Sequence, residues 1–199
     1  MSFVLGLTGG IAAGKTTTAK IFQEFGAMII DADQVARQIV VPQTPGWRQI
    51  KAQFGEAFIL PNQQLDRKKL GQLVFADRRQ LVRLEQITGP LIRKEIQQQL
   101  QELKKQRPRL IILMVPLLFE GGYQSYCDQT MTISLSEQLQ VKRLMERNHL
   151  SKESAENRLA AQMSTEKRDQ LADFVIDNSQ GFAHLRSQVI KWLQEKQFV

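Results

Sequence analysis

Apolar runs and helical stretches alternate along this chain. In residues 15–25, Thr18, Ile21, Phe22 and Phe25 recur at helical spacing and share one face, and Gly26 predicts the helix end. Short uninterrupted apolar runs predict buried strands. These runs cover residues 3–7, 27–30, 110–115, 131–135 and 174–176. Strands that alternate with helices predict an α/β fold with a parallel five-stranded sheet.

The segment between the second and third predicted strands is too long for a simple crossover. Pro42, Pro45 and Gly46 predict a loop at its start. Residues 47–107 are polar, rich in Gln and helical in pattern, and Gly89-Pro90 predicts a break or kink. We expect this helical part to lie over the carboxyl edge of the sheet, where ligands bind in open α/β folds.

Helices are also predicted after the other strands. Residues 34–39 have a helical pattern, and a last helix is expected over about residues 182–196. Ser136 follows the fourth strand and is placed as the N-cap of the next helix.

Composition excludes several classes of protein. The 199 residues suit one domain. The longest apolar run, residues 110–119, is too short to cross a bilayer, and no signal-peptide pattern occurs, so we expect a cytoplasmic protein without a membrane partner. Cys127 is the single cysteine, which excludes an intrachain disulfide and a cysteine zinc site. We expect Cys127 to contribute to packing.

The formal net charge of +7 predicts a polyanionic partner. Basic clusters such as residues 67–69 and 104–109 lack the interleaved aromatic residues that single-strand binding requires. Phosphorylated small molecules are therefore expected rather than nucleic acid. The sequence does not predict the oligomeric state.

The stretch that follows the first strand fits the P-loop pattern G-x-x-x-x-G-K-[ST]. Glycines allow such a loop to turn its amides onto a phosphate, and the following helix adds its positive end. Lys15 is expected to reach the outer phosphates of ATP, and the Thr16 hydroxyl to ligate Mg²⁺. The expected nucleotide-binding residues of the loop are Gly9, Gly10, Ile11, Ala12, Ala13, Gly14, Lys15, Thr16 and Thr17.

The residues around the loop favour a kinase. A GTPase needs N-K-x-D, and the nearest match, residues 166–169, has Glu in place of Asn. A motor ATPase usually has an acidic pair after its second main strand, whereas residues 110–115 are followed by Pro116. Both classes are therefore disfavoured, and a small-molecule kinase remains.

Two carboxylates follow the second strand. Asp31 and Asp33 are two residues apart, so on extended chain they would point the same way. One would accept a proton from a hydroxyl and the other would hold Mg²⁺ or an arginine. The alternative is that they cap the helix that begins near Gln34.

A group of cations follows the fourth strand. Arg143 and Arg147 are four residues apart on a predicted helix, and Arg158 follows a polar segment. This pattern indicates a mobile lid whose arginines stabilise the transferring phosphoryl group. The alternative is a solvated charged helix.

Nearly the whole chain resembles the dephospho-coenzyme A kinase family. The segment D-A-D-x-x-x-R at residues 31–37 is more specific than the P-loop. The resemblance is carried by "GLTGGIAAGKTT", "IIDADQVARQIV", "LGQLVFAD", "GPLIRKEI", "VPLLFEGG", "VKRLMERNHLSKESAENRLAAQM" and "ADFVIDNS".

This resemblance implies phosphorylation of the ribose 3′-hydroxyl of dephospho-coenzyme A by ATP, the last step of coenzyme A synthesis. It implies that Asp33 is the general base and that Arg37 lies on the acceptor side. Arg143 and Arg147 would belong to the lid side of the ATP site, and Asn178 would border the adenine. Among the basic residues of the helical part, Arg67 and Arg93 are candidates for contact with the acceptor pyrophosphate, and the alternative is that each is an ordinary surface residue.

The resemblance also implies three parts. A P-loop core would comprise about residues 1–40, 108–136 and 172–199, with a helical substrate-binding part at about 41–107 and a lid at about 137–165. Two residues depart from the family pattern. Ala12 replaces a glycine, so the loop must be right-handed there or slightly strained. Gly89 replaces the usual His, so a hydrogen bond from that His to substrate is missing.

Two rival functions remain open from the sequence. One is another P-loop kinase that acts on a nucleoside or nucleotide. The other is a nucleotide-binding module that does not consume ATP.

Overall fold

In the computed structural model, which describes residues 2–199, the apolar runs form a five-stranded parallel sheet. The strands are β1 (Phe3–Gly9), β2 (Met28–Asp31), β3 (Leu110–Met114), β4 (Gln129–Ser134) and β5 (Phe174–Asp177). Their order is β2-β3-β1-β4-β5, and all neighbours pair in parallel. Every residue of β3 is buried, because helices cover both faces of such a sheet. The predicted fold class is confirmed, with strand ends shifted by one or two residues.

Helices connect the strands. Among the described residues, none is long and apolar enough to cross a bilayer. Short 3₁₀ turns occur at Glu56–Phe58 and Tyr123–Tyr126. The α-helices are α1 (Lys15–Glu24), α2 (Ala32–Gln38), α3 (Pro45–Phe54), α4 (Arg67–Ala76), α5 (Arg78–Lys105), α6 (Glu137–Asn148), α7 (Lys152–Ala160), α8 (Thr165–Leu171) and α9 (Phe182–Glu195).

The chain divides into two compact units. The sheet unit comprises the chain up to Asp31 and residues 102–199, and the helical unit comprises residues 32–101. In the sheet unit, α1 and α9 pack on one another, and Phe22 meets Trp192 edge to face at 5.6 Å between ring centroids. The assignment of a core, a substrate-binding part and a lid to these residues stays a prediction.

The helical unit has its own apolar core. Trp47 is buried in it and donates its ring N–H to the carbonyl oxygen of Gln63 at 2.7 Å, so its polar atom is satisfied. The buried members of this core are Val40, Trp47, Ile50, Leu65, Leu70 and Val74.

The predicted loop at Pro45 and Gly46 is wrong, because both residues lie in the first turn of α3. Thr44 caps this helix by accepting a hydrogen bond from the Trp47 amide at 3.3 Å. Proline suits a first helical turn because its φ is already helical and its missing N–H would have no partner there.

The predicted break at Gly89-Pro90 does not occur, since α5 runs through both residues, and a kink there stays a prediction. Gly89 has no Cβ to collide with the proline ring, which removes the usual obstacle to helical conformation before proline. The N-cap position predicted for Ser136 is confirmed, because Ser136 is the N-cap residue of α6, although its side chain makes no capping hydrogen bond.

Candidate phosphate-binding site

The loop between β1 and α1 requires its first and last glycines. Gly9 has φ +154°, and a Cβ there would lie 2.9 Å from the carbonyl oxygen of Ile133. Gly14 has φ +109° and is the N-cap residue of α1. The Ala13 amide closes a turn by donating to the Gly10 carbonyl at 3.2 Å. The P-loop glycines therefore meet both conformational and steric demands.

Ala12 adopts the left-handed conformation, with φ +58°. The first predicted alternative, a right-handed backbone at Ala12, is therefore wrong. The second, a slightly strained backbone at this residue, is confirmed. A residue with a Cβ in this region costs about 1–2 kcal/mol. The backbone of the predicted phosphate-binding loop is therefore slightly strained at Ala12.

The N-terminus of α1 is open to an anion. Gly14 offers no side chain to cap it, and its first turn contains no acidic residue. Thr16 and Thr17, both in that turn, are exposed. Within its own first turn, α1 thus carries no side chain that would neutralise the partial positive charge of the helix end, as expected for a phosphate site.

Lys15 holds its ammonium group over the loop. Its Nζ donates to the carbonyl oxygens of Gly9 at 2.7 Å and Gly10 at 3.1 Å. These bonds keep a cation beside the loop backbone. The side chain is therefore already within reach of an anion bound to the loop amides.

Asn178 joins the loop to the end of β5. Its Nδ2 donates to the Ala13 carbonyl at 2.7 Å, and the side chain is only 6% exposed. The main-chain carbonyl oxygen of Asn178 accepts a hydrogen bond from Arg143 Nη2 at 3.1 Å. A Cβ on Gly14 would collide with Asn178 Nδ2. Asn178 thus holds the backbone of the loop at Ala13. The family resemblance implied a position beside the adenine, which stays a prediction.

The two arginines of α6 have different surroundings. Arg143 is half-buried and bonds to Asn178, whereas Arg147 is exposed and donates from Nε to Asn148 Oδ1 at 2.9 Å. Arg143 is therefore linked to the loop through Asn178. α6 packs against α7, and the mobility of these helices as a lid stays a prediction.

The two carboxylates after β2 do not lie on extended chain. Asp31 ends β2, and α2 already begins at Ala32, so the expected common direction of Asp31 and Asp33 has no basis in the backbone. Asp33 is exposed in the first turn of α2, where a negative charge favours the helix. Its role as a base stays a prediction.

The remaining acceptor candidates lie in the helical unit. Arg37 is exposed in the last turn of α2, and its carbonyl accepts from Arg67 Nη2 at 3.3 Å. Arg93 is exposed on α5, and a Cβ on Gly89 would lie 3.8 Å from Arg93 Nη1. A side chain at position 89 would therefore touch Arg93. The acceptor roles of Arg37 and Arg93 stay predictions.

Three residues beside the loop escaped the sequence reasoning. The Ile11 amide donates to Gln162 Oε1 at 2.9 Å. Buried Gln140 and Arg168 lie against Gly10, where a Cβ would collide with the Gln140 Oε1 atom and come within 3.2 Å of Arg168 Nη1. Gln162 belongs to a segment that carries the family resemblance, but no role was predicted for it, and Gln140 and Arg168 stand in polar sequence. Only the folded chain shows that these three residues lie beside the loop.

No cluster of three or more His, Cys, Asp or Glu side chains that would hold a metal ion occurs within residues 2–199. Mg²⁺ usually needs few protein ligands because substrate phosphates and water supply the others. The exposed Thr16 hydroxyl at the open helix end is compatible with such a site.

Comparison with known proteins decides the family. The family model described as dephospho-CoA kinase matches residues 3–184. The chain belongs to the dephospho-CoA kinase family. A dephospho-CoA kinase from Carboxydothermus hydrogenoformans is 42% identical over 192 residues, which cover 96% of this chain and 93% of that protein. One from Enterococcus faecalis is 41% identical over 196 residues, covering 98% of each chain.

Solved structures agree with this placement. The dephospho-CoA kinase from Campylobacter jejuni superposes with a TM-score of 0.75 at 32% identity and covers 98% of both chains. Membership of the dephospho-CoA kinase family confirms the predicted resemblance and identifies the chain as a kinase. The GTPase and motor classes are thereby excluded.

Proposed function

We propose that this kinase transfers a phosphoryl group from ATP to the 3′-hydroxyl of dephospho-coenzyme A, which yields coenzyme A and ADP as the last step of coenzyme A synthesis. The observation that carries the proposal is the match along nearly the full chain to relatives named dephospho-CoA kinase. We place the reaction in the cytoplasm and expect small-molecule partners only.

The nucleotide would be held by the loop from Gly9 to Thr17. The N-terminus of α1 supports this assignment, because no side chain caps it and its first turn contains no acidic residue. Lys15 would exchange its bonds to the loop carbonyls for bonds to phosphate oxygens. Arg143 and Arg147 would add positive charge from α6, and Arg143 is already bonded to Asn178.

Mg²⁺ would be held by the Thr16 hydroxyl together with phosphate oxygens. When bound, the ion neutralises charge on the triphosphate. The residues fit this role because Thr16 is exposed in the first turn of α1, next to Lys15.

The acceptor would be deprotonated by Asp33. Asp33 is exposed, as an acid that must meet a substrate hydroxyl has to be, and its helix also carries Arg37. Arg37 and Arg93 would meet the acceptor pyrophosphate. The competing assignment, in which Asp33 merely stabilises the first turn of α2, is separated from this one by turnover measurements on a variant.

The experiment is an ADP-release assay with dephospho-coenzyme A as acceptor, with and without Mg²⁺. We expect turnover that requires both, no comparable turnover with nucleosides or nucleoside monophosphates, and loss of activity in Lys15→Ala. Lys20→Ala, which removes an exposed cation from the same helix, is the matched control and should remain active. Faster turnover with a nucleoside would favour the other kinase class. ATP binding without turnover on any acceptor would favour a non-catalytic module.

A further inference from the structure

Arg168 is a buried cation without a carboxylate partner. Its side chain lies on α8, and the residue is 3% exposed. Nη2 donates to the carbonyl oxygen of Met163, whereas Nη1 is buried and has no hydrogen-bond partner among the described residues. Within the same residues, no carboxylate forms an ion pair with it. Arginine is rarely buried in this way, because an unpaired charge is costly away from water.

The buried position of Arg168 disfavours its positive charge. Burial lowers the pKa of the guanidinium, and the more distant charges of Glu120, Asp169 and Glu166 act in the opposite direction. Arginine nevertheless stays protonated. A positive charge therefore remains in the interior with incomplete compensation.

This charge lies against the phosphate loop. Arg168 Nη1 is 3.2 Å from the point where a Cβ on Gly10 would stand. Gln140 Oε1 points to the same place and also lacks a partner, while Gln140 Nε2 donates to Leu135 O at 2.6 Å and Thr165 Oγ1 at 3.0 Å. Because Gly10 has no Cβ, the buried polar side chains of Gln140 and Arg168 can both lie against it.

Arg168 also holds the turn that contacts the loop backbone. Its Nη2 bonds to the carbonyl of Met163, and the preceding residue, Gln162, accepts a hydrogen bond from the Ile11 amide at 2.9 Å. The guanidinium therefore restrains both the residue that binds Ile11 and the space beside Gly10.

We propose that Arg168 is a positioning residue of the phosphate loop, and that its buried charge is balanced when a nucleotide polyphosphate binds to the loop. The proposal rests on the proposed function for the presence of a nucleotide in the loop. In the low-dielectric interior, a charge acts on phosphates over a longer distance than at the surface. Arg168 would therefore increase the affinity for nucleotide. The cost is a buried charge that no carboxylate among the described residues pairs with before the nucleotide binds.

The test compares Arg168→Met with Lys167→Met in the full chain. Lys167 is an exposed neighbour on the same helix, so its replacement removes the same formal charge. Calorimetry measures the Kd of ADP with Mg²⁺, and thermal unfolding measures the midpoint of the nucleotide-free protein. We expect Arg168→Met to weaken ADP binding about tenfold or more, with an unfolding midpoint within about 3 °C of the parent. Lys167→Met should change ADP affinity by less than about twofold.

A purely structural role of Arg168 gives a different result. It would lower the unfolding midpoint strongly and leave the ADP affinity of the folded protein unchanged, and that result would overturn the proposal. If Arg168→Met does not fold, the Kd of ADP is measured for Arg168→Lys instead. This variant keeps a cation at position 168 but loses the guanidinium fork. ADP affinity within about threefold of the parent supports the role of charge, and a tenfold loss contradicts it.

The two proposals fail separately. If the parent binds ADP but does not phosphorylate dephospho-coenzyme A, the proposed acceptor is wrong while the comparison of Kd values still tests Arg168. If the parent is active on dephospho-coenzyme A and Arg168→Met binds ADP as the parent does, only the inference about Arg168 is wrong.

Discussion

Asn178 Nδ2 donates a 2.7 Å hydrogen bond to the carbonyl oxygen of Ala13, although the two residues are 165 positions apart. Both residues are buried, at 6% and 1% exposure. The bond connects the loop after β1 with the end of β5. The shape of the phosphate loop therefore depends on a residue near the other end of the chain.

Asn178→Ala should destabilise the protein and the loop together. The Ala13 carbonyl would be left buried without its partner, so we expect the free energy of unfolding to fall by about 1–3 kcal/mol. ADP affinity should also fall, because the Ala13 backbone would lose its support. Urea unfolding and calorimetry measure the two effects. Asn148→Ala, at an exposed residue bonded to Arg147, is the control, and equal stability of both variants would contradict the assignment.

Ala12→Gly should relieve the strain of the left-handed residue in the loop. Glycine adopts φ +58° without a Cβ penalty but orders less readily, so we expect a net gain of up to about 1 kcal/mol in unfolding free energy. Ala13→Gly is the control because Ala13 has negative φ, and it should lose about 0.5–1 kcal/mol. If Ala12→Gly lost as much as Ala13→Gly, strain at position 12 would be absent. Chemical denaturation of both variants measures the difference.

Asp33→Asn should reduce kcat by roughly a hundredfold or more with little change in ADP affinity. The amide cannot accept the proton of the acceptor hydroxyl, whereas the nucleotide loop lies elsewhere in the sequence. Steady-state ADP release and calorimetry give the two quantities. Glu85→Gln removes another exposed carboxylate of the helical unit and should leave kcat unchanged. Turnover close to that of the parent would remove Asp33 from the role of base.

Cys127 should resist alkylation in the native protein. Burial raises the pKa of its thiol to about 12, with the Asp128 charge acting in the same direction and Lys104 opposing. Relative to an ordinary value of 9.0, this lowers the thiolate fraction at pH 8 by about a thousandfold. Iodoacetamide labelling followed by mass spectrometry should therefore be slow in buffer and fast in urea. Equal rates would show an accessible thiolate.

The same shift predicts a pH dependence of stability. The raised pKa favours the neutral thiol in the folded state, so its contribution is constant below pH 9 and is lost as the pH rises from about 9 toward about 12. Relative to Cys127→Ala, the parent should lose unfolding free energy over this alkaline range, which urea unfolding at a series of pH values measures.

Local patterns determined much of the fold. Each apolar run became a strand, and β3, whose residues are all buried, shows the reason most directly: a strand that is covered on both faces of a parallel sheet needs apolar side chains throughout. The phosphate loop was equally readable, since Gly9, Gly14, Lys15 and Thr16 are contiguous and the strand and helix beside them are predicted from the same stretch. Errors occurred where two local signals competed, as at Pro45 and at Gly89-Pro90, whose positions within a helix decide what proline does.

Only the tertiary structure decided what surrounds the loop. Asn178 and Gln162 form hydrogen bonds with Ala13 and Ile11, and Gln140 and Arg168 lie against Gly10. All four come from distant segments of the chain, which the strand order β2-β3-β1-β4-β5 brings to the loop. A sequence pattern shows which residues are neighbours along the chain. It does not give the distance in space between residues on strands that are joined by long crossovers. The sequence alone thus determined the phosphate loop and the family of the protein. Tertiary packing decided which side chains hold that loop in its conformation.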